Sequence, residues 1–132
     1  MKNRDLENND NWATPKYLYD ELDQEFNFDF DPCPLYASFD LDPKIKWGKS
    51  NFINPPYNRF DKPKFIQRAY DEWKNNACCV LLIPSATTKQ FHELILPNAE
   101  IRFVKRIAFE YNSKEFTTTN KKHDSMIVIF RN

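Results

Sequence analysis

Asn51-Phe52-Ile53-Asn54-Pro55-Pro56-Tyr57 is the stretch on which the reading of the fold turns. Asn51-Phe52-Ile53 reads as a short strand, and two successive prolines then fix φ and remove two backbone donors. The chain therefore leaves the carboxyl end of the strand in a stiff loop. Beyond it, Asp61 and Pro63 mark a helix start, and Phe65, Ile66, Ala69, Tyr70 and Trp73 give that helix an apolar face. Residues 77 to 83 form a continuous apolar run closed by Pro84, which suits a central strand covered on both faces. Strand, loop, helix and strand in this order is the unit from which parallel sheets are built.

The flanks extend the pattern. Thr14-Pro15 reads as an N-cap followed by proline at the first helical position. Leu18, Leu22 and Phe26 then mark one stripe of a helix running to about Glu25. Phe26-Asn27-Phe28-Asp29-Phe30-Asp31 alternates with period two and reads as a strand ending at Asp31-Pro32. Residues 32 to 49, with Pro32, Pro34, Pro43 and the single glycine Gly48, read as a long loop. Downstream, Thr88 to Leu96 reads as a helix stopped by Pro97, Ile101 and Phe103 as a strand, and Met126 to Phe130 as the last strand. Thr117-Thr118-Thr119 is taken as a hairpin loop and His123-Asp124 as a turn. Residues 1 to 11, polar and asparagine-rich, read as a flexible N-terminus, and residues 12 to 132 as a single domain. The expected architecture is an α/β sheet, mostly parallel, with a terminal antiparallel strand pair. Asp31 and Asn54 both fall at carboxyl ends of strands, where ligands of such sheets bind, so they are expected to face one crevice.

With 132 residues there is material for one core but not for a separate recognition domain. No apolar run approaches the ~20 residues of a membrane span, and Met1 to Asp5 lacks the apolar stretch of a signal peptide. The expected location is a cytoplasm, the cell's own or a host's. Cys33, Cys78 and Cys79 have no metal-ligand or redox spacing, and no metal is expected. Cys78 and Cys79, adjacent on a strand, should point to opposite faces as small buried hydrophobes. Nineteen basic and nineteen acidic side chains cancel, so any nucleic-acid contact must come from a local patch. Candidate cations are Lys44, Lys46 and Lys49, then Arg59, Lys62 and Lys64, then Lys105-Arg106; Lys121-Lys122 reads as solvated. His92 reads as packed or exposed rather than catalytic. Ser85 has no histidine and aspartate arrangement to make it a nucleophile.

Several ordered motifs together resemble the phage-type DNA adenine-N6 methyltransferases, a Dam-like, minimal branch of the Rossmann-like enzymes that use S-adenosylmethionine. The resemblance runs from about residue 11 to 130. It rests on Asp10-Asn11-Trp12-Ala13-Thr14-Pro15, on Phe30-Asp31-Pro32-Cys33, on Trp47-Gly48 ahead of Asn54-Pro55-Pro56-Tyr57, on Leu82-Ile83-Pro84 with Thr88 and Phe91-His92, on Arg106 with Phe109, and on Ser125-Met126. It implies that Trp12, Thr14, Pro15, Asp31, Pro32 and Cys33 border the cofactor, while Asn54, Pro55, Pro56 and Tyr57 hold the target adenine. The chain departs from larger methyltransferases in having Pro32-Cys33-Pro34 where they place a glycine-rich turn. Residues 32 to 50 also leave no room for the strand-helix pairs whose acidic residue holds the ribose hydroxyls. The cofactor half is thus shortened, with Asp40 and Asp42 as the acidic residues able to substitute.

Chemistry explains why such a loop would serve this reaction. The exocyclic nitrogen of adenine is a poor nucleophile because its lone pair is shared with the ring. The Asn54 side-chain oxygen can accept one hydrogen of the amino group and the Pro55 carbonyl the other, which aims the lone pair and stabilises developing positive charge. Two prolines position these acceptors before the base arrives. Tyr57 offers a π-face to a base flipped out of a duplex. Asn58, Arg59, Lys62, Lys64, Lys105 and Arg106 would then contact backbone phosphates. The same loop could act on RNA adenine or a protein glutamine, or persist in a catalytically idle nucleic-acid-binding domain. It also suits a plain proline-rich turn in which Tyr57 merely packs. A chain this short has little material for sequence recognition, which points to a dimer or a loose target and leaves the oligomeric state open.

Overall fold

The computed structural model describes the backbone of residues 12–33, 41–112 and 117–132, and side chains for 14–33, 41–104 and 124–132. Residues 1 to 11, read as flexible, lie outside the described residues. In chain order the elements are β1 (Trp12–Ala13), α1 (Lys16–Phe26), β2 (Ser50–Ile53), α2 (Asp61–Lys74), β3 (Cys78–Pro84), a π-helical turn (Phe91–Ile95), β4 (Glu100–Asn112) and β5 (Thr117–Phe130). The strands form one five-stranded sheet in the order β1-β4-β5-β3-β2.

The mixed α/β character is as expected, but the sheet is not mostly parallel. Of the four strand pairings among the described residues only β2 with β3 is parallel; β3 with β5, β4 with β5, and β1 with β4 are antiparallel. Phe30 adds a single parallel bridge to Asn51. The physical reason is β5, which inserts between β3 and β4 and opposes both. Phe30, β2, β3 and β4 consequently point the same way, and their carboxyl ends share one edge.

The apolar run of β3 is buried on both faces, as its composition predicts. Cys79, Leu81 and Ile83 join Met126, Val128 and Phe130 of β5 under Phe65, Ile66 and Ala69 of α2 and Phe91 and Ile95 of the π-helical turn. Val80, Leu82, Ile127 and Ile129 face the other way, against Leu18 and Leu22 of α1 and against Phe52. Helices therefore cover both faces, and each fully buried leucine or isoleucine contributes about 2 kcal/mol. Cys79 and Cys78 lie in opposite layers, and burial pushes the Cys79 thiol up to about 12.

Several local expectations give way to tertiary structure. Phe26-Asp31 is not a strand: Phe26 ends α1, Asn27 takes the left-handed conformation, and only Phe30 bridges to the sheet. Phe28 packs in the α1 layer and Phe30 in the α2 layer, so the alternation does not mark one strand face. The segment is held instead by Asp29, whose N–H donates to the Ser50 carbonyl at 2.8 Å and whose carboxylate accepts from the N–H groups of Lys49 and Ser50 at 3.3 and 3.1 Å. Gly48 makes this approach feasible, since a Cβ there would collide with the Asp29 carboxylate and lie 3.0 Å from the Phe30 Cβ.

Thr14 does not cap α1. Pro15 occupies that position, and its carbonyl accepts from the N–H groups of Leu18 and Tyr19 at 3.1 Å. The helix expected at 88–96 begins at Thr88, whose hydroxyl accepts the Phe91 N–H at 3.2 Å, and passes into the π-helical turn, closed by Leu96 N–H donating to the Phe91 carbonyl at 2.8 Å. Thr117–Thr119 and His123–Asp124 lie within β5, paired with β4, rather than in a loop and a turn. Among the described residues no helix is long and apolar enough to cross a membrane, and no group of three or more histidine, cysteine or acidic side chains could hold a metal ion.

Candidate active site

The shared carboxyl edge gathers Asp31 to Cys33 after Phe30, Asn54 to Tyr57 after β2, and Pro84 and Ser85 at the end of β3. Asn54 is buried, with 7% of its surface exposed, and Pro55 and Pro56 are buried beside it. Two neighbours fix it. Its side-chain Nδ2 donates to Thr14 Oγ1 at 2.9 Å, and its backbone carbonyl accepts from Cys33 Sγ at 3.3 Å. The threonine hydroxyl is available for this because Pro15, and not Thr14, occupies the capping position ahead of α1. With nitrogen turned to Thr14, the amide presents its oxygen as the acceptor, and a carboxamide oxygen has two lone pairs.

Asp31, Pro32 and Cys33 lie beside this loop, which Cys33 touches through its Sγ contact to the Asn54 carbonyl. Asp31 Oδ1 accepts the Cys33 N–H at 2.9 Å, an Asx turn that folds the segment back toward Asn54. Pro32 and Cys33 are buried and Asp31 is half-buried. Tyr19 on α1 stands near this carboxylate. Burial first, then the charges of Asp23, Asp31 and Asp20, raise its phenol above the ordinary tyrosine range. Trp12 lies in β1, paired with Tyr111, two residues before Thr14; its side chain is outside the described residues. Asp42 is exposed, and its Oδ1 accepts the Lys44 N–H at 2.9 Å, a turn-forming role; Asp40 lies outside the described residues.

Tyr57 is half-buried. Its hydroxyl donates to the Leu82 carbonyl at 3.2 Å, and its ring packs on the α1 layer. The ring is therefore pinned at one end while part of it reaches solvent. Asn58, expected as a phosphate contact, caps α2: its Oδ1 accepts the N–H groups of Phe60 and Asp61 at 3.0 and 2.7 Å, and its Nδ2 donates to Asp61 Oδ2 at 3.0 Å.

Arg59 and Lys62 stand on the first turns after the loop and line a cavity of about 190 Å³, walled by Ile66, Ile83, Phe91 and Met126. Neither makes an ion pair among the described residues. Lys64 is exposed nearby. Lys105 and Arg106 lie in β4 at the irregularity between Val104 and Ile107, their side chains outside the described residues. Lys49 precedes β2 and so lies at the opposite, amino edge, roughly 15 Å of strand from Asn54. Lys44 and Lys46 lie toward the middle of α2, where Arg68 donates to the Ile45 carbonyl at 2.7 Å. These three do not join Arg59 and Lys62. His92 is exposed, with its ring edge-on to Phe91.

The sequence named Thr14 but missed its partner, because a hydrogen bond spanning 40 positions leaves no local signature. The cavity beside α2 was also missed. Its walls come from α2, β3, the π-helical turn and β5, which no local pattern joins.

Neither the curated proteins nor the solved structures contain a significant match to the chain. A family model described as DNA N-6-adenine-methyltransferase (Dam) matches residues 2–132. With Asn54 to Tyr57 at the carboxyl edge and that match over nearly the full length, the chain belongs to the Dam family of DNA adenine methyltransferases.

Proposed function

We propose that this protein transfers a methyl group from S-adenosylmethionine to the N6 amino group of adenine in DNA, with the base flipped into a pocket at Asn54 to Tyr57. The observation that carries the reading is the double anchoring of Asn54, by Thr14 at the side chain and by Cys33 at the backbone, in a chain of this family. A carboxamide held this way does not reorganise when the substrate arrives, which is the condition for electrostatic catalysis. Its oxygen accepts one hydrogen of the adenine amino group and the Pro55 carbonyl the other. Positive charge developing on the nitrogen is stabilised by both, and the proton leaves to water after transfer. Tyr57, pinned through Leu82, stacks on the extruded base.

The residues beside the loop fit the methyl donor. A sulfonium cation with an amino-acid tail suits the half-buried Asp31 carboxylate and the apolar surface of Pro15, Pro32 and Cys33, with Trp12 and Thr14 at the border. When bound, S-adenosylmethionine supplies an electrophilic methyl group. The fold is read accordingly as a reduced Rossmann-like core, supported by the common direction of Phe30, β2 and β3. Arg59, Lys62 and Lys64, with Lys105 and Arg106 on β4, supply contacts to duplex phosphates.

The test is incubation with isotopically labelled S-adenosylmethionine and duplex DNA, followed by hydrolysis to nucleosides. Labelled N6-methyladenine is the expected product. Absence of product together with absence of cofactor binding by calorimetry would leave an idle nucleic-acid-binding domain, and label on RNA or protein alone would replace DNA as the substrate.

A further inference from the structure

The geometry points to the cavity beside α2 as a second base subsite, one that takes the nucleotide next to the target adenine and selects it through Gln90; this rests on the DNA methyltransferase reading above. Ile83, Pro84, Thr88 and Phe91 line the cavity. They belong to the sequence motif running from Leu82 to His92, which the Asn54 site leaves without a task.

Place, size and charge agree on the occupant. The apolar wall of Ile66, Ile83 and Met126 belongs to the α2 layer, whereas the Tyr57 ring packs in the α1 layer. Arg59, two positions after Tyr57, already lines the cavity, so the two sites adjoin across the carboxyl edge of the sheet. A strand laid over that edge sets successive bases on opposite sides of it. At about 190 Å³ the cavity is smaller than the roughly 300–1,000 Å³ of sites that enclose whole small-molecule ligands. It has room for one ring system and leaves sugar and phosphate outside. The exposed Arg59 and half-buried Lys62 stand ready for that phosphate, since neither has an acidic partner among the described residues. Unpartnered cations beside an apolar hollow match a base flanked by phosphates. Extrusion of the target adenine also removes one of its neighbour's two stacking partners, which eases the neighbour's departure from the stack.

Gln90 supplies the choice. Its Nε2 donates to the Pro63 carbonyl at 2.9 Å, and Pro63 also lines the cavity. With its nitrogen engaged, the carboxamide offers Oε1, which accepts no hydrogen bond among the described residues. An amide oxygen accepts from an exocyclic amino group. Thymine alone among the bases lacks such a group and carries carbonyls in its place, so thymine is the base this subsite disfavours.

In the experiment, genomic duplex DNA is methylated to low extent by the full chain, by Gln90→Leu and by Ala86→Leu, and the modified adenines are sequenced with their neighbours. For the wild-type protein, thymine should be depleted about tenfold at one of the two adjacent positions, the worth of one hydrogen bond to a desolvated acceptor. Gln90→Leu removes the acceptor, and Ala86→Leu fills the cavity from the half-buried loop after β3, so each should bring the depletion below about twofold. Thermal unfolding certifies each variant as folded, and Gln90→Leu decides alone should Ala86→Leu not fold. Even neighbour frequencies in the wild type overturn the subsite, as does a depletion that survives in a folded variant. A folded variant that methylates nothing overturns it too, because a selecting subsite changes which adenines react and not whether any do. A wild-type protein that methylates no DNA overturns the underlying reading instead, and the subsite with it.

Discussion

Asn54 is tied through its nitrogen and its backbone carbonyl, and the two ties predict different failures. On the proposed mechanism Asn54→Ala removes the acceptor for the amino group, so the methylation rate should fall by about 10²-fold or more, as for other preorganised acceptors and donors. Binding of a fluorescent duplex should change by less than about threefold, and equal losses would place Asn54 in binding rather than chemistry. Thr14→Val keeps the shape but leaves the Asn54 nitrogen without this acceptor in a buried site. It should lower kcat about tenfold with little change in KM for DNA, and Thr14→Ser should restore it. A Thr14→Val enzyme with wild-type kcat would show that the hydrogen bond is dispensable. These effects belong to the residue scale because α1 and β2 keep their packing in each variant.

At the scale of elements, the link between α1 and β2 depends on the fit of Gly48 against Asp29. Gly48→Ala should cost about 1–2 kcal/mol in urea unfolding, since the added Cβ displaces a carboxylate that accepts two backbone hydrogen bonds. In an Asp29→Ala background the same change should cost much less, and a purely additive cycle would contradict the clash. The elements read correctly from sequence are those whose signal is long and local: the stripe of Leu18 and Leu22 in α1, the face of Phe65, Ile66 and Ala69 in α2, and the unbroken run of β3. The misreadings share a cause. Phe26, Phe28 and Phe30 alternate like a strand, yet α1 keeps Phe26 and the two faces divide Phe28 from Phe30. Thr117 to Thr119 look like a loop because nothing in their chemistry announces the partner strand Tyr111–Asn112. Thr14-Pro15 looks like a capped start, and only the distant Asn54 reassigns the hydroxyl. The Asn54 loop itself was legible because its rigidity comes from adjacent prolines, and Asp31 was placed near it by its position at a strand's carboxyl end, although that strand is a single bridge at Phe30.

Across the whole molecule, the amino edge is tied by a charge network. Arg102 on β4 grips Glu25 of α1 through both carboxylate oxygens at 2.7 Å and bonds Glu100 at 2.7 Å, and Arg131 donates to Glu100 at 2.8 Å. Both arginines also lie over the Phe26 ring. Hydrogen bonding from Arg102 is the main cause holding the Glu25 and Glu100 carboxyls below the ordinary glutamate range. A carboxyl depressed in the folded state stabilises above its unfolded pKa, about 4.3, and loses that contribution as pH falls through the lower folded value. Because the groups are more than a third exposed, the network is worth only about 1 kcal/mol. Arg102→Ala should therefore lower stability by about that amount at pH 7 in low salt, with the difference from wild type shrinking below pH 4 and in 1 M salt. A gap that persists under both conditions would assign the loss to packing on Phe26.

The place of β5 between β3 and β4 bears on how the chain comes into being. Residues 125–130 are translated after every other strand, yet they form the middle of the sheet and supply inward side chains to both layers. Until they leave the ribosome, β3 has one paired edge and one bare edge, and β4 has no route to the rest of the core. From the completion of β3 until β5 follows, the nascent protein must hold an open sheet with exposed apolar strands, so closure of the core waits on β5.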